Sequence, residues 1–240
     1  QQRRAIAATA PAPVQRVLSL NLHPDYFFGH QAWRDVPTEA LAGSIAGMQA
    51  EGRAYADNLY RLCGDWMAGT ESTPARVAVA PQTLQLGSHR IELRQLKGHT
   101  ADDLVVIDRT TGVLYAGGLV FADRVPTTPH ADFAAWLAAL DTLERWHAAG
   151  EFKTVVPSHG PVHEGLAGVR QTRDWLRWLT ALMQDSAERG LDLAELLRMP
   201  VPPRFATWAA QPAELHRTLT QWYPRYEQRA LAAPAAPPAR

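Results

Sequence analysis

The spacing of apolar residues changes along this chain, and the change limits the folds that it can adopt. From Val77 to Tyr115, apolar and polar residues alternate with the two-residue period of β-strands, and Arg109–Gly112 is typical of a hairpin turn. Ala131–His147 then has the 3.6-residue period of an amphipathic helix, and Phe152–Pro157 follows as a short buried strand. The pattern predicts an α/β (α+β) protein with a β-rich middle.

The remaining segments are predicted to be mainly helical. Val14–Leu20 has the pattern of a short strand that ends at Asn21. Glu39–Met67 carries apolar residues at helical spacing, although three glycines interrupt it. Beyond Gly165, helical patterns separated by proline-rich joints continue, over Val169–Glu188, Leu193–Arg198 and Ala213–Leu231.

The composition excludes several classes of function. Lys plus Arg and Asp plus Glu both number 24, so the net charge is zero and no global field attracts nucleic acid or an anionic membrane. The single cysteine, Cys63, excludes an internal disulfide and a cysteine-rich zinc cluster, and we expect it to be a small buried group. No stretch reaches the roughly 18 apolar residues of a membrane span, and the polar start Gln1–Arg4 is no intact signal peptide.

Polar clusters follow three of the predicted strands. They are Asn21–Tyr26, Gly98–Thr100 and Ser158–Gly160. In a sandwich of two sheets, loops at one rim converge, and imidazole and carboxylate side chains there can hold a metal ion. The other histidines match no motif and are predicted to be surface or packing residues: His89, His130, His147, His163 and His216.

The order of these clusters resembles the metallo-β-lactamase superfamily. That family has an H-x-H-x-D-H motif, a GHT-like turn, an Asp after a later strand and a GHG-like turn. The counterparts are NLHPDYFFG at Asn21–Gly29, GHT at Gly98–Thr100, YAGGLVF at Tyr115–Phe121 and PSHGP at Pro157–Pro161. The resemblance implies an αββα sandwich and a zinc-dependent hydrolase site.

The C-terminal part resembles one bacterial subgroup, the quinoprotein relay system zinc metallohydrolases. The matching segments are RGLDLAELLRMPVPPRF at Arg189–Phe205 and LTQWYPRYE at Leu219–Glu227. The resemblance implies an exported, periplasmic protein associated with quinoprotein alcohol oxidation. We expect an N-terminally incomplete metallo-β-lactamase-like domain at residues 1–165 and a helical extension packed on it at residues 166–231. The Ala- and Pro-rich residues 232–240 are expected to form a disordered tail.

Matching the family's metal ligands one by one shows that the set is incomplete. Four ligand positions are retained, namely His23, Asp25, His99 and His159, and Asp25 is also the predicted catalytic residue. Three are substituted, with Asn21 and Tyr26 in place of histidines and Gly118 in place of the bridging Asp. Each half-site keeps two protein ligands, fewer than the three usual for catalytic zinc. Losing the bridging carboxylate also leaves the repulsion between two dications uncompensated, so we expect one zinc ion at most, or none.

Other ligand arrangements remain open. The four retained ligands could share one ion, with Asn21, Tyr26, His30 or Asp123 as replacement groups. The Asn-x-His-x-Asp start is also similar to that of the mono-zinc carbapenemases, whose cysteine ligand has no counterpart near Gly118. Asp102 and Asp103 are expected to hydrogen-bond the His99 loop or to orient a ligand histidine.

The N-terminal strands of the fold are predicted to be absent, because only 20 residues precede Asn21. If the sequence is complete, an exposed sheet edge would favour a homo-oligomer. If it is an excerpt, the missing part would hold the opening strands and an export signal.

Two functions are compatible with these residues. The first is a metal-dependent hydrolase in which one ion activates water against an ester, thioester or amide. The second is a non-catalytic binding or assembly module in quinoprotein-linked alcohol oxidation. The substrate is not identified by any motif, although Trp33, Arg34 and Arg124 in the loops Phe27–Thr38 and Ala122–Pro129 suggest a small organic, anionic ligand.

Overall fold

The computed structural model describes residues 2–10 and 12–232, and it places two stacked β-sheets between outer helices. The predicted αββα sandwich is confirmed by this architecture. Residues 233–240 of the predicted tail lie outside the described residues, and Ala232 ends the last helix.

The first sheet is parallel and, within the described residues, has the strand order β1–β2–β3. Its strands are β1 (Val17–Leu18), β2 (Thr38–Leu41) and β3 (Val77–Val79). Three helices precede or connect them, namely α1 (Gln2–Thr9), α2 (Pro24–Phe27) and α3 (Ala42–Cys63). Short 3₁₀ helices lie at His30–Trp33 and Gly64–Met67.

The second sheet has the order β4 to β9. Its strands are β4 (Gln82–Leu86), β5 (His89–Leu96), β6 (Asp103–Asp108), β7 (Val113–Phe121), β8 (Thr154–His159) and β9 (His163–Glu164). Strands β4 to β7 are antiparallel, whereas β7 and β8 are parallel and α4 (Phe133–Ala148) connects them. The parallel pairing requires a crossover, and the helix provides it.

The final part of the chain is helical, as predicted. Its helices are α5 (Ala167–Glu188), α6 (Leu193–Leu196), α7 (Pro203–Ala206) and α8 (Ala213–Ala232). Buried residues of α5, such as Trp175 and Leu179, share one apolar cluster with Val105 and Leu114 of the second sheet. No helix within 2–10 and 12–232 combines the length and apolar character needed to cross a membrane.

Three apolar clusters define the layers. Leu41 of the first sheet meets Leu93 and Leu104 of the second sheet between the two sheets. Met48 of α3 packs with Ala40 on the outer face of the first sheet. The largest cluster joins the second sheet to α4, α5 and α8. The rim loops are therefore held by a sandwich that is packed on both faces.

The structure corrects several boundaries. The predicted helix Glu39–Met67 begins only at Ala42, because Glu39 to Leu41 form β2. The three glycines do not break α3, and one of them, Gly43, allows the Asp102 side chain to approach the helix where a Cβ would collide with it. Ser158 and His159 belong to β8 rather than to a loop. The expectation that Cys63 is buried is wrong, because it is exposed at the end of α3.

Gly98 is required by a close approach between the His99 turn and α4. Its φ is +150°, and a Cβ there would lie 2.3 Å from the Trp136 Cα.

We expect Gly98→Ala to lower the free energy of unfolding by about 2–4 kcal/mol, since backbone strain adds to the collision. Urea denaturation should show this, with Gly29→Ala as the control because nothing lies within 4 Å of its added Cβ. Equal stability of the two variants would contradict the expectation.

Candidate functional site

The rim clusters converge as two pairs rather than as one group. The rings of His23 and His99 meet edge to face with their centroids 4.5 Å apart. The His159 Nε2 lies 3.4 Å from an Asp25 carboxylate oxygen, and both side chains are partly exposed. The Phe121 ring contacts both groups, at 5.6 Å from the His99 centroid and 5.4 Å from that of His159. His23, His99, Asp25 and His159 therefore lie at one rim but as two separate pairs.

Asp103 holds the turn that carries His99. Its carboxylate accepts hydrogen bonds from the backbone N–H groups of His99 (3.1 Å) and Thr100 (3.0 Å) and from the Thr100 hydroxyl (2.9 Å). The nearest approach to the His99 Nδ1 is 3.7 Å, which is too long for a hydrogen bond. Asp103 thus orders the backbone of the turn rather than the ring.

A chain of hydrogen bonds joins His23 to two residues that the motifs did not indicate. His23 Nε2 lies 2.9 Å from His130 Nδ1, and His130 Nε2 lies 3.0 and 2.9 Å from the two carboxylate oxygens of Glu51. Only a protonated Nε2 can donate to that carboxylate, so a neutral His130 accepts at Nδ1 from the His23 Nε2–H. Both ring nitrogens of His130 are therefore engaged in hydrogen bonds within the protein.

Burial holds the pKa of the His23 imidazole well below its ordinary value, and the neighbouring rings of His99 and His130 lower it further. His23 is consequently neutral at physiological pH. A neutral imidazole donates a hydrogen bond from one ring nitrogen only. This matches the single hydrogen bond by which His23 is linked, through His130, to Glu51.

The His99 ring occupies the space beside Gly118. A Cβ added at Gly118 would lie 1.8 Å from His99 Nδ1 and 2.3 Å from Cε1. The ring is buried, packs at 5.1 Å against Trp136, and its Nδ1 has no hydrogen-bond partner among the described residues. No side chain can therefore extend from position 118 unless His99 moves.

Asn21 and Tyr26 are engaged in local contacts. The Asn21 side-chain oxygen accepts from the backbone N–H of His23 at 2.9 Å, which fixes the turn before α2. The Tyr26 hydroxyl donates to the Ser158 hydroxyl at 2.7 Å, and burial raises the pKa of Tyr26. Asn21 therefore holds its own turn, and Tyr26 joins α2 to the end of β8.

His30 and Asp123, which the sequence suggested as replacement ligands, form hydrogen bonds elsewhere in the protein. His30 bonds the Ser19 hydroxyl (2.7 Å) and the Thr73 carbonyl (3.0 Å). Asp123 exchanges hydrogen bonds with the Gln171 side chain at its backbone N–H and carboxylate. These contacts assign both residues structural roles.

The loop residues that suggested an anionic ligand also have partners or are covered. Trp33 is buried, and Arg34 pairs with Glu71 at 2.6 Å. The Arg124 Nε is buried without a hydrogen-bond partner among the described residues.

Sequence reasoning missed His130 and Glu51. His130 was predicted to be a surface or packing residue, yet it contacts His23 across 107 positions of sequence. One signal could have found it, because His130 lies in the loop between β7 and α4, which leads to the same rim as the Gly98–Thr100 turn.

Helix α8 holds the loop that carries His130. The Gln221 side chain donates to the Pro129 carbonyl at 2.7 Å, and the Trp222 indole donates to the Thr128 carbonyl at 3.0 Å. The hydroxyls of Thr128 and Thr218 also meet at 2.7 Å. Helix α8 thus positions a residue that contacts His23.

Two stacked sheets between helices, with histidine-bearing loops at one rim, define a metallo-β-lactamase fold. Solved structures agree. A metallo-β-lactamase from Pontibacter korlensis is 24% identical with a TM-score of 0.56, covering 73% of this chain and 75% of its own. Metallo-β-lactamase IND-7 is 18% identical with a TM-score of 0.58, and the match covers 73% of this chain and 74% of IND-7.

A third solved structure is the mono-zinc form of FIM-1 from Pseudomonas aeruginosa. It is 22% identical with a TM-score of 0.54, covering 74% of this chain and 72% of its own. At these identities the likeness establishes the fold alone. No family model matches the sequence, and no curated protein matches it.

The donors present do not fit the two-zinc centre that the resemblance implies. Position 118 offers no donor and the His99 ring fills its side-chain space. The Asn21 oxygen is bonded within its own turn, and the Tyr26 hydroxyl is bonded to Ser158 of β8. Within 2–10 and 12–232, no group of three or more His, Cys, Asp or Glu side chains is arranged to hold a metal ion.

The contact between His99 and position 118 can be tested by a double-mutant cycle. We expect Gly118→Ala to destabilise the protein by about 1–3 kcal/mol, because the added methyl group overlaps the His99 ring. The same substitution in a His99→Ala background should cost much less, which chemical denaturation of the four proteins would measure. Equal costs in both backgrounds would show that the ring does not occupy this space.

Acid should destabilise the protein partly through His30. Burial lowers the pKa of this imidazole below its ordinary value of 6.5, so below that value the unfolded chain binds a proton that the folded chain does not. The stabilisation is complete above the ordinary pKa and is lost as the pH falls below it. Comparing urea unfolding at about pH 7.5 and about pH 5.5 should give a smaller loss for His30→Gln than for the unchanged protein.

The matched control is His216→Gln, which removes an exposed imidazole. It should show the same loss of stability on acidification as the unchanged protein. An undiminished loss in the His30→Gln variant would exclude His30 as a source of acid sensitivity.

Proposed function

We propose that this protein is related to metal-dependent hydrolases but cannot hold their two-metal centre, so that it binds one zinc ion at most. The observation that carries the proposal is the His99 ring, which fills the side-chain space of Gly118. A bridging carboxylate at that position would need the same volume. Hydrolysis that depends on two metal ions is therefore not its function.

The retained groups define what the site can still do. His23, Asp25, His99 and His159 are the metal ligands that we propose for a single ion, which would have to draw the His23–His99 pair and the Asp25–His159 pair together. Asp25 is the proposed catalytic residue. Of these, His159 and Asp25 are partly exposed at the rim and form the accessible pair. One bound ion would supply a polarised water for attack on a carbonyl group.

A non-catalytic module is the second candidate, and the pairing of the site's polar groups with one another favours it. His23 is bonded to His130, His130 to Glu51, and Tyr26 to Ser158. These contacts are made without an ion. In this case the protein would bind or assemble with periplasmic partners in quinoprotein-linked alcohol oxidation, as the C-terminal resemblance implies.

Metal analysis of protein purified without chelator tests the primary proposal. We expect no more than about one zinc per chain even after incubation with excess zinc, and no cleavage of a chromogenic cephalosporin. A His99→Ala variant serves as the comparison. About two zinc ions per chain, with cephalosporin cleavage that His99→Ala abolishes, would contradict the proposal.

The same samples separate the two candidates. If one zinc ion is bound and raises the melting temperature, the single-metal site is supported. If the protein stays metal-free and its melting temperature does not respond to zinc, the non-catalytic module is supported.

A further inference from the structure

A cavity that none of the rim histidines lines lies between the start of α4 and the C-terminal half of α8. Its volume is about 570 Å³. This is within the range of cavities that bind small organic molecules, which is roughly 300–1,000 Å³. The side chains that give it chemical character are Asp132, Phe133, Trp222, Arg225, Tyr226 and Arg229.

The walls of this cavity are aromatic and held in place. The rings of Phe133 and Trp222 meet edge to face with centroids 5.0 Å apart. The Trp222 indole donates to the Thr128 carbonyl at 3.0 Å, which fixes the orientation of its ring. Tyr226 lines the cavity one helical turn further along α8. A flat aromatic ring is the ligand shape that such walls recognise.

Two guanidinium groups lie among these rings. Arg225 is 4.3 Å from the centroid of Trp222, and Arg229 is 5.7 Å from that of Tyr226. No ion pair joins either arginine to a carboxylate of residues 2–10 or 12–232. Stacking on an aromatic face leaves the N–H groups at the edge of a guanidinium free to bind an anion.

The one acidic group in the lining does not neutralise both arginines. The Asp132 carboxylate accepts a hydrogen bond from the Ala135 backbone N–H at 3.0 Å and caps the N-terminus of α4. One negative charge therefore faces two positive charges, and the Asp132 carboxylate is already used by the helix.

We propose that this cavity binds a small planar aromatic carboxylate. The ring of the ligand packs against Phe133 and Trp222, and its carboxylate accepts hydrogen bonds from Arg225 and Arg229. Arginine binds carboxylates in a planar, two-bond geometry, so the charge and the flat ring are recognised together. The proposal does not depend on whether the rim histidines bind a metal ion.

Calorimetric titration of the full chain tests this with matched probes. Naphthoate carries the aromatic plane and the charge, and naphthamide carries the same ring without the charge. We expect saturable binding of naphthoate at about one equivalent per chain, and binding of naphthamide that is weaker by about tenfold or more. Absence of saturable naphthoate binding, or equal affinity for both probes, would overturn the proposal.

Variants then locate the site. An Arg225→Gln/Arg229→Gln double variant should bind naphthoate about tenfold or more weakly. The control is Arg204→Gln, because Arg204 also stacks on a ring, that of Phe205 at 4.5 Å, but does not line the cavity. Naphthoate binding that is unchanged in the double variant, or weakened equally in the control, would place the ligand elsewhere. The comparison of the two probes on the unchanged protein tests the proposal even if the double variant does not fold.

Discussion

The contact between the His99 ring and the backbone of Gly118 determines what the rim of this fold can do. Asp103 fixes the turn that carries His99, and the ring packs against Trp136. Because the ring is buried in that position, the space beside Gly118 is filled by an imidazole. Gly118 is therefore the residue that lets His99 lie where it does.

The rest of the rim is built around the same ring. His23 meets His99 edge to face, and His130 then links His23 to Glu51 on α3. The loop that carries His130 is itself held by α8, through Gln221 and Trp222. The site thus combines the first sheet, the second sheet and the C-terminal helix, and none of these parts could be removed without changing it.

The sequence predicts the layers of the fold and the position of the rim, because the spacing of apolar residues and the identity of turn residues are local signals. It does not predict β2, because Glu39 places a charge in a buried strand, where Arg16 pairs with it through a 3.0 Å hydrogen bond. His130 and Glu51 were missed because they meet across 79 positions of chain and belong to no motif. The filling of the Gly118 space is likewise a property of the packed structure, since it depends on where the His99 ring lies.

A crystal structure determined with anomalous scattering at the zinc edge, from crystals soaked in zinc, tests the central claim most directly. The account predicts one zinc peak at most at the rim, with the contact between the His23 Nε2 and the His130 Nδ1 retained. Two peaks about 3.5–4 Å apart between the rim loops, with His99 moved away from Gly118, would contradict it.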